Sequence, residues 1–178
     1  MQVHDILKYT INLIDKLEIP YMLTGSMALN NYTIPRSTRD IDIVVQLVQN
    51  YIPKLIDAIK DEFYYHEPTI IDEIKRKGMF NLIHRESSFK IDFIILSDNF
   101  YETEKFNRRR MIFYEDIKLF IITVEDLIIS KLNWIQGVES ELQKRDIIQL
   151  LQVQDIDMDY IRKWCKSLNL KTYNLIEI

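Results

Sequence analysis

The chain has 178 residues, of which 47% are hydrophobic and 28% are charged, and its formal net charge is −4. This composition excludes a disordered chain, and the length predicts one packed domain, or one domain with a small helical appendage. No apolar run reaches the roughly 20 residues that span a bilayer, and the first residues lack the features of a signal peptide. With its single cysteine, the chain is therefore expected to be cytoplasmic and free of membrane contacts.

The first half of the chain predicts a β-α-β-α order after an opening helix. Apolar residues recur at helical spacing over residues 2–18, and Pro20 ends that segment. The elements predicted next are a strand at 21–23, a small helix capped by Ser26 at 26–31, a β-branched strand at 40–47 and a helix at 51–63.

The second half predicts a β-hairpin and then a helical C-terminal part. The helix expected to stop at Gly78 is followed by a hairpin, two edge strands and a helix that begins with a capping box at Thr123. Cys165, in the last helical pattern, is expected to be a packing residue. The predicted ranges are 70–77 for the helix, 80–84 and 89–96 for the hairpin, 111–114 and 118–122 for the edge strands, and 123–134, 139–152 and 158–168 for the C-terminal helices.

These elements predict an α/β fold, in which a small, mixed and twisted sheet is backed by helices. Residues 1–122 are expected to form the core that carries the sheet. Residues 123–178 are expected to form a helical part that packs on the core and closes one side of a cleft.

Two acidic residues lie two positions apart in the second predicted strand. Side chains alternate across a strand, so Asp40 and Asp42 point to one side while Ile41 points to the other. At roughly 4 Å and an effective dielectric constant near 20, two such charges repel by about 4 kcal/mol, and a divalent cation is the simplest compensation. The alternative is a solvated face. By the same alternation, Asp92 is a third carboxylate that points out of the sheet.

A Gly-Ser pair lies at the turn between the first strand and the helix that follows it. Gly25 lets the backbone approach a phosphate closely, while the helix N-terminus and the Ser26 hydroxyl offer hydrogen-bond donors. Alone, such a pair is most often an ordinary turn. Three carboxylates beside an anion-binding turn, however, are what two-metal phosphoryl chemistry needs, and Mg²⁺ prefers oxygen ligands and bridges to substrate phosphates.

The motifs together resemble the DNA polymerase β-like nucleotidyltransferase superfamily, whose signature is Gly-Ser, a spacer, Asp-x-Asp and a distant third Asp. They are most similar to its small bacterial subgroup that includes AbiEii-type toxins, with G-G/S-x-A-L followed by R-x-T-x-D-hydrophobic-D. Here the two motifs read GSMAL at residues 25–29 and RSTRDID at residues 36–42. In that subgroup a helix with a Lys precedes a helix with an Arg-Asp pair, and Lys131 and Arg145-Asp146 lie at similar places.

The resemblance implies the nucleotidyltransferase fold and a role for each matching residue. Asp40, Asp42 and Asp92 would be catalytic and would hold two Mg²⁺ ions, with Asp92 either a metal ligand or the base for the acceptor hydroxyl. Lys131 would reach outward from the apolar side of its helix to the nucleotide phosphates. The residues implied in binding the nucleoside triphosphate (NTP) are Gly25, Ser26, Arg36, Thr38, Lys131 and Asp146. The alternatives are a solvated Lys131 and a surface salt bridge of Asp146.

The resemblance thus predicts transfer of a nucleoside monophosphate from an NTP to an acceptor hydroxyl, with release of pyrophosphate. An RNA 3′ end, a protein side chain and a small molecule are open as acceptors, and a cognate antitoxin is open as a partner. The basic run Arg108, Arg109 and Arg110 would favour RNA, or it could be a solvated loop. Two other functions stay open: a non-catalytic nucleotide-binding or toxin–antitoxin interaction module, and an RNA-binding adaptor.

Overall fold

The structure is a computed structural model that describes residues 2–177. In chain order, the helices are α1 Val3–Lys16, α2 Gly25–Tyr32, α3 Ile52–Ile59, α4 Glu67–Arg76, α5 Phe100–Asn107, α6 Val124–Trp134, α7 Glu141–Leu150 and α8 Met158–Ser167. The strands are β1 Tyr21–Thr24, β2 Asp40–Val45, β3 Phe63–Tyr64, β4 Met79–His84, β5 Lys90–Ile95, β6 Arg110–Tyr114 and β7 Ile117–Ile121. A 3₁₀ turn, Gln49–Tyr51, precedes α3.

All seven strands form one mixed sheet in the order β3-β4-β5-β2-β1-β7-β6. The pairs β2–β5 and β1–β7 are parallel, and the other neighbouring strands are antiparallel. The expected mixed α/β architecture is confirmed, although the sheet is larger than the small one that the sequence predicted. Strand β2, which carries the Asp-x-Asp motif, lies at the centre of this sheet.

The two faces of the central strands differ in burial, as the alternating sequence pattern requires. In β2, Ile41 and Ile43 are fully buried, while Asp40 and Asp42 on the other face are only partly buried. Strand β4 shows the same alternation along its whole length, with every second residue exposed. One face of the sheet therefore belongs to the hydrophobic core, and the other remains open where the carboxylates lie.

The region between β2 and β5 differs from the prediction in two details. The helix expected over 51–63 ends at Ile59, because Phe63 pairs with His84 and starts the short strand β3. Helix α4 ends through Lys77, which takes the left-handed conformation at φ 57°. The stop is therefore one residue before Gly78, where a Cβ would lie 1.9 Å from a carboxylate oxygen of Glu73. Non-local strand pairing and side-chain packing, rather than local propensity, decide both boundaries.

Helix α5 occupies a stretch in which the sequence predicted no element. The Asn99 side chain accepts a hydrogen bond from the Tyr101 N–H at 2.8 Å and so caps the helix. Its inward face consists of only Tyr101, Lys105 and Phe106, which is too sparse a pattern to recognise. The edge-strand prediction is correct for β6 but wrong for β7, because β7 lies between β1 and β6.

A buried carboxylate joins the C-terminal helices to the preceding part of the chain. Asp126 in α6 accepts hydrogen bonds from the hydroxyls of Tyr101 and Tyr160, at 3.0 and 2.8 Å, and from Arg108 Nε at 3.0 Å. Thr123 caps α6 as expected, and Cys165 is fully buried as a packing residue. The division of the chain at residue 122 stays a prediction. None of the helices in residues 2–177 is long and apolar enough to cross a membrane.

Candidate active site

The acidic side chains of the Asp-x-Asp motif and the third carboxylate share one face of the sheet. Strands β2 and β5 pair in register, so that Asp42 is the direct neighbour of Asp92, and Asp40 is the neighbour of Lys90. Because neighbouring strands lie about 4.8 Å apart, carboxylates at partner positions are held close together. Asp92 is only 6% exposed, whereas the Asp40 side chain is half-exposed. The register thus brings together the three residues that the sequence predicted to be catalytic.

Lys90 lies among these carboxylates. Its Nζ is 2.9 Å from Asp92 Oδ2 and 3.6 Å from Asp40 Oδ1. The hydrogen bond to Asp92 raises the pKa of Lys90, and the charges of Asp92 and Asp40 raise it further, so the ammonium stays protonated. Alternation along β5 puts Lys90 on the same side of the strand as Asp92, but no sequence motif gives Lys90 a role. Only the pairing of β5 with β2 shows that it reaches two carboxylates at once.

Asp42 is the carboxylate whose ionisation the site disfavours. Burial raises the pKa of Asp42, and the neighbouring charges of Asp92 and Asp40 raise it further, against smaller lowering effects of Lys90 and Lys131. An acid with a raised pKa in the folded state costs folding free energy once it ionises, from its unfolded pKa upward. At neutral pH, the repulsion among the ionised carboxylates is therefore only partly compensated by the two lysines.

The donor set suits a hard cation such as Mg²⁺, which prefers carboxylate oxygens. Asp92 Oδ1 is buried and has no hydrogen-bond partner among residues 2–177, which leaves it available to a ligand. The oxygens of Asp40, Asp42 and Asp92 are nevertheless not gathered within 4.8 Å of one another as a set. The chemistry of these residues fits a divalent cation, and Lys90 holds part of the space between them.

A second acidic group in the described part of the chain does have its ligand atoms within 4.8 Å of one another. It lies at the end of the sheet that β7 and β6 form. It consists of His4 at the start of α1 with Glu115 and Asp116 at the β6–β7 turn. Both acids are exposed, His4 nitrogens lie 3.1 and 3.0 Å from them, and Lys8 forms an ion pair with Asp116. These internal contacts account for the cluster, and β1 and β7 separate it from the Asp-x-Asp motif in β2.

Gly25 lies against the side chain of Asp42. Its φ of 63° lies in the left-handed region, and a Cβ at this position would be 1.9 Å from Asp42 Oδ2. No other residue type fits there without moving the carboxylate. The next residue, Ser26, lies in the first turn of α2 and does not cap it, because Thr24 is the residue that precedes the helix. The predicted serine cap is therefore wrong, and the Ser26 hydroxyl is available for other contacts.

Arg36 joins Ser26 to the C-terminal helices. Its Nη2 donates to Ser26 Oγ at 2.8 Å and to Asp146 Oδ2 at 2.8 Å, and its Nε donates to Asp146 Oδ1 at 3.0 Å. This bidentate geometry is the strongest form of an Arg–carboxylate pair. Lys131 Nζ donates to Asp146 Oδ2 and to Gln143 Oε1, both at 2.8 Å. Four of the residues expected to bind the NTP are therefore linked in one network.

Burial distinguishes this network from the expected surface contacts. Lys131 is 5% exposed and Asp146 is 2% exposed, so neither the outward-reaching Lys131 nor the surface salt bridge of Asp146 is correct. Burial lowers the pKa of Lys131, and its ion pair with Asp146 only partly offsets this. Burial pushes the pKa of Asp146 upward, but the hydrogen bonds from Arg36 and Lys131 outweigh it and hold that pKa below its usual value.

Thr38 shapes the start of β2. Its Oγ1 lies 3.2 Å from the carbonyl oxygen of Asp40, to which it donates, and 3.4 Å from the backbone nitrogen of the same residue. Thr38 therefore fixes the backbone at the point where the first carboxylate leaves the loop. The predicted binding of the NTP by Thr38 stays a prediction.

An uncharged groove continues the open face of the sheet beyond the carboxylates. Asn81 in β4 is the register partner of Asp92, and Ile83 is the partner of Lys90. The groove has a volume of about 400 Å³, and its lining contains no Asp, Glu, Lys or Arg side chain. The lining residues are Tyr64, Tyr65, His66, Thr69, Ile70, Met79, Phe80, Asn81 and Ile83. The sequence did not single out this surface, because the side chains come from separate elements.

The basic run at the end of α5 is largely committed to internal contacts. Arg108 pairs with Asp126 and lies 3.9 Å from the Tyr160 ring centroid. Arg109 donates to the Phe106 carbonyl oxygen at 2.7 Å and stacks on the ring of Phe106. Arg110 is exposed in the edge strand β6. The three arginines therefore do not form one free basic surface.

Comparisons with known proteins find similarity at the level of the fold. No protein-family model and no curated protein matches the sequence. Among solved structures, the lincosamide antibiotic adenylyltransferase LnuA superposes with a TM-score of 0.58 at 17% identity, covering 86% of this chain and 99% of LnuA. An antigenic nucleotidyltransferase-like protein from Paracoccidioides brasiliensis superposes with a TM-score of 0.53 at 16% identity, covering 83% of this chain and 74% of that protein. The chain therefore has the nucleotidyltransferase fold.

Proposed function

We propose that this protein is a Mg²⁺-dependent nucleotidyltransferase that moves a nucleoside monophosphate from an NTP to an acceptor hydroxyl. The observation that supports this most is the side-by-side placement of Asp42 and Asp92 next to the Gly25 turn. The carboxylates of Asp40 and Asp42 would hold the cation, and the N-terminus of α2 would receive the phosphates. When bound, Mg²⁺ would neutralise the triphosphate and stabilise the leaving pyrophosphate.

In this proposal Asp92 is the general base, since its buried Oδ1 has no hydrogen-bond partner among residues 2–177. Asp92 accepts the proton of the acceptor hydroxyl while the hydroxyl oxygen bonds to the α-phosphorus. The bond between that phosphorus and the bridging oxygen of the pyrophosphate breaks, and its electron pair leaves with the pyrophosphate. The protein contributes mainly positioning and charge neutralisation.

The Arg36 network holds the phosphate side of the site. The Ser26 hydroxyl and the N–H groups in the first turn of α2 donate to phosphate oxygens, and Arg36 orients Ser26 through its hydrogen bond. Asp146 acts as a positioning residue, because it holds Arg36 and Lys131 together. Arg36 and Lys131 carry two positive charges and Asp146 carries one negative charge. The network therefore has a net charge of +1, which favours binding of the triphosphate.

The groove beside Asp92 favours a small-molecule acceptor among the three open classes. Its uncharged lining offers no cation for an RNA backbone, and its volume of about 400 Å³ suits a drug-sized ligand. LnuA, which shares the fold, was solved with lincomycin bound. The motifs at residues 25–29 and 36–42 also resemble those of AbiEii-type proteins, which keeps a toxin with a cognate antitoxin within this proposal.

One observation favours a second candidate, a non-catalytic module on the same scaffold. Lys90 already neutralises part of the charge of Asp40 and Asp92 without any metal. A protein that binds nucleotides or an antitoxin, without catalysis, would need no further cation. The two candidates differ in whether a nucleotide is covalently transferred.

The test is incubation of the full chain with each α-labelled NTP and Mg²⁺, together with RNA, lysate protein or a small-molecule extract. We expect label on one acceptor class with the wild type, and none with Asp42→Asn. Asp61→Asn, which changes an exposed carboxylate, is the matched control and should behave as the wild type does. Nucleotide binding without transfer in every pool would refute the enzyme and support the non-catalytic module.

A further inference from the structure

The position of Lys90 between two carboxylates is a consequence of the sheet register. Asp40 and Lys90 are partners across β2 and β5, and Asp92 follows Lys90 by two residues on the same face. The ammonium lies 3.6 Å from Asp40 and 2.9 Å from Asp92. The ammonium thus holds a positive charge between one carboxylate of each strand.

The net charge of the site also favours a single metal ion. Before an NTP binds, the three ionised aspartates and the Lys90 ammonium give the site a net charge of −2, which one divalent cation neutralises. Lys131 does not reduce this number, because its Nζ is committed to Asp146 and Gln143 at 2.8 Å. A second divalent cation between β2 and β5 would have to displace Lys90 from Asp92.

The atoms that remain available also suit one ion. Asp92 Oδ2 is already bonded to Lys90 at 2.9 Å. Asp92 Oδ1 is buried without a partner among residues 2–177, and it stays free for the acceptor hydroxyl. The Asp42 carboxylate and the second oxygen of Asp40, Oδ2, are left for a cation.

We propose that the Lys90 ammonium takes the position of one of the two metal ions, so that this site binds a single divalent cation. This inference rests on the proposed function, and it differs from the expectation of two Mg²⁺ ions. Lys90 is thereby a positioning residue that holds Asp92 in place for the acceptor. Its side chain is 38% exposed, so the ammonium is accessible from the open face of the sheet.

The experiment counts bound Mn²⁺ per chain by electron paramagnetic resonance, with a non-hydrolysable NTP analogue present. All proteins carry Asp116→Asn, so that the exposed group around His4 does not contribute ions. We expect one ion for this background and two ions after Lys90→Met, which removes the charge but keeps most of the stem. Lys90→Arg keeps the charge and should retain one ion, and Lys118→Met, at an exposed strand lysine, should change nothing.

Two ions in the background protein would overturn the inference, and so would one ion in both proteins, since removal of the ammonium would then free no position. Lys90→Gln replaces Lys90→Met if circular dichroism shows that the latter does not fold. The count is independent of catalysis. One ion in the background and two in Lys90→Met, without transfer to any acceptor, would refute the proposed function and leave the role of Lys90 intact.

Discussion

Asp42→Asn should stabilise the metal-free protein, because it removes a charge that its neighbours repel. Asp92 is the register partner of Asp42 on the adjacent strand, and strands lie about 4.8 Å apart. At about 5 Å and an effective dielectric constant of 20, two unit charges repel by roughly 3 kcal/mol. Lys90 cancels part of this by its contact with Asp92. We therefore expect a gain of about 1–2 kcal/mol, which is about 2–8 °C in Tm for a chain of this size.

The assay is thermal unfolding at neutral pH by circular dichroism, once in EDTA and once in excess Mg²⁺. In EDTA the variant should melt above the wild type, and Mg²⁺ should raise the Tm of the wild type more than that of Asp42→Asn. The exposed Asp61→Asn should leave the Tm unchanged in both conditions. A lower Tm of Asp42→Asn in EDTA would refute the repulsion argument and would assign Asp42 a structural role.

Three further changes test the surrounding contacts. Gly25→Ala should lower the free energy of unfolding in urea by at least about 1–2 kcal/mol, because φ is 63° and a Cβ would meet the Asp42 carboxylate. Gly137→Ala, which has open space around it, should leave the stability unchanged, and equal effects of the two changes would contradict this reasoning. Lys131→Met should cost about 1–3 kcal/mol by the same measurement, and an unchanged midpoint would show that Arg36 alone satisfies Asp146. Asp146 has a lowered pKa, so its stabilisation is present above its unfolded pKa of about 3.9 and is lost as the pH falls through the folded value. Asp146→Asn should therefore flatten the acid limb of stability against pH, and parallel curves would argue against the network.

Local sequence was sufficient to predict an element wherever the spacing of apolar and polar residues is itself the signal. Alternation along β2 put Asp40 and Asp42 on one face, and the helical spacing before Pro20 predicted α1. Local sequence was insufficient where contacts with residues distant in the chain decide whether an element forms. Strand β3 exists because Phe63 pairs with His84. Helix α5 depends on a buried face of three residues, of which Tyr101 contacts Asp126 in α6 and Trp164 in α8.

The sequence by itself was enough to predict residues of the candidate site: Gly25, Ser26 and the three aspartates. The tertiary structure alone decided that Asp92 lies beside Asp42 and that Lys90 reaches Asp40, because alternation fixes the face of a strand but not its register against another. It also decided that Arg36 meets Asp146, which lies 110 residues away. No local pattern encodes such a contact, since it forms only when α7 packs against the first half of the fold.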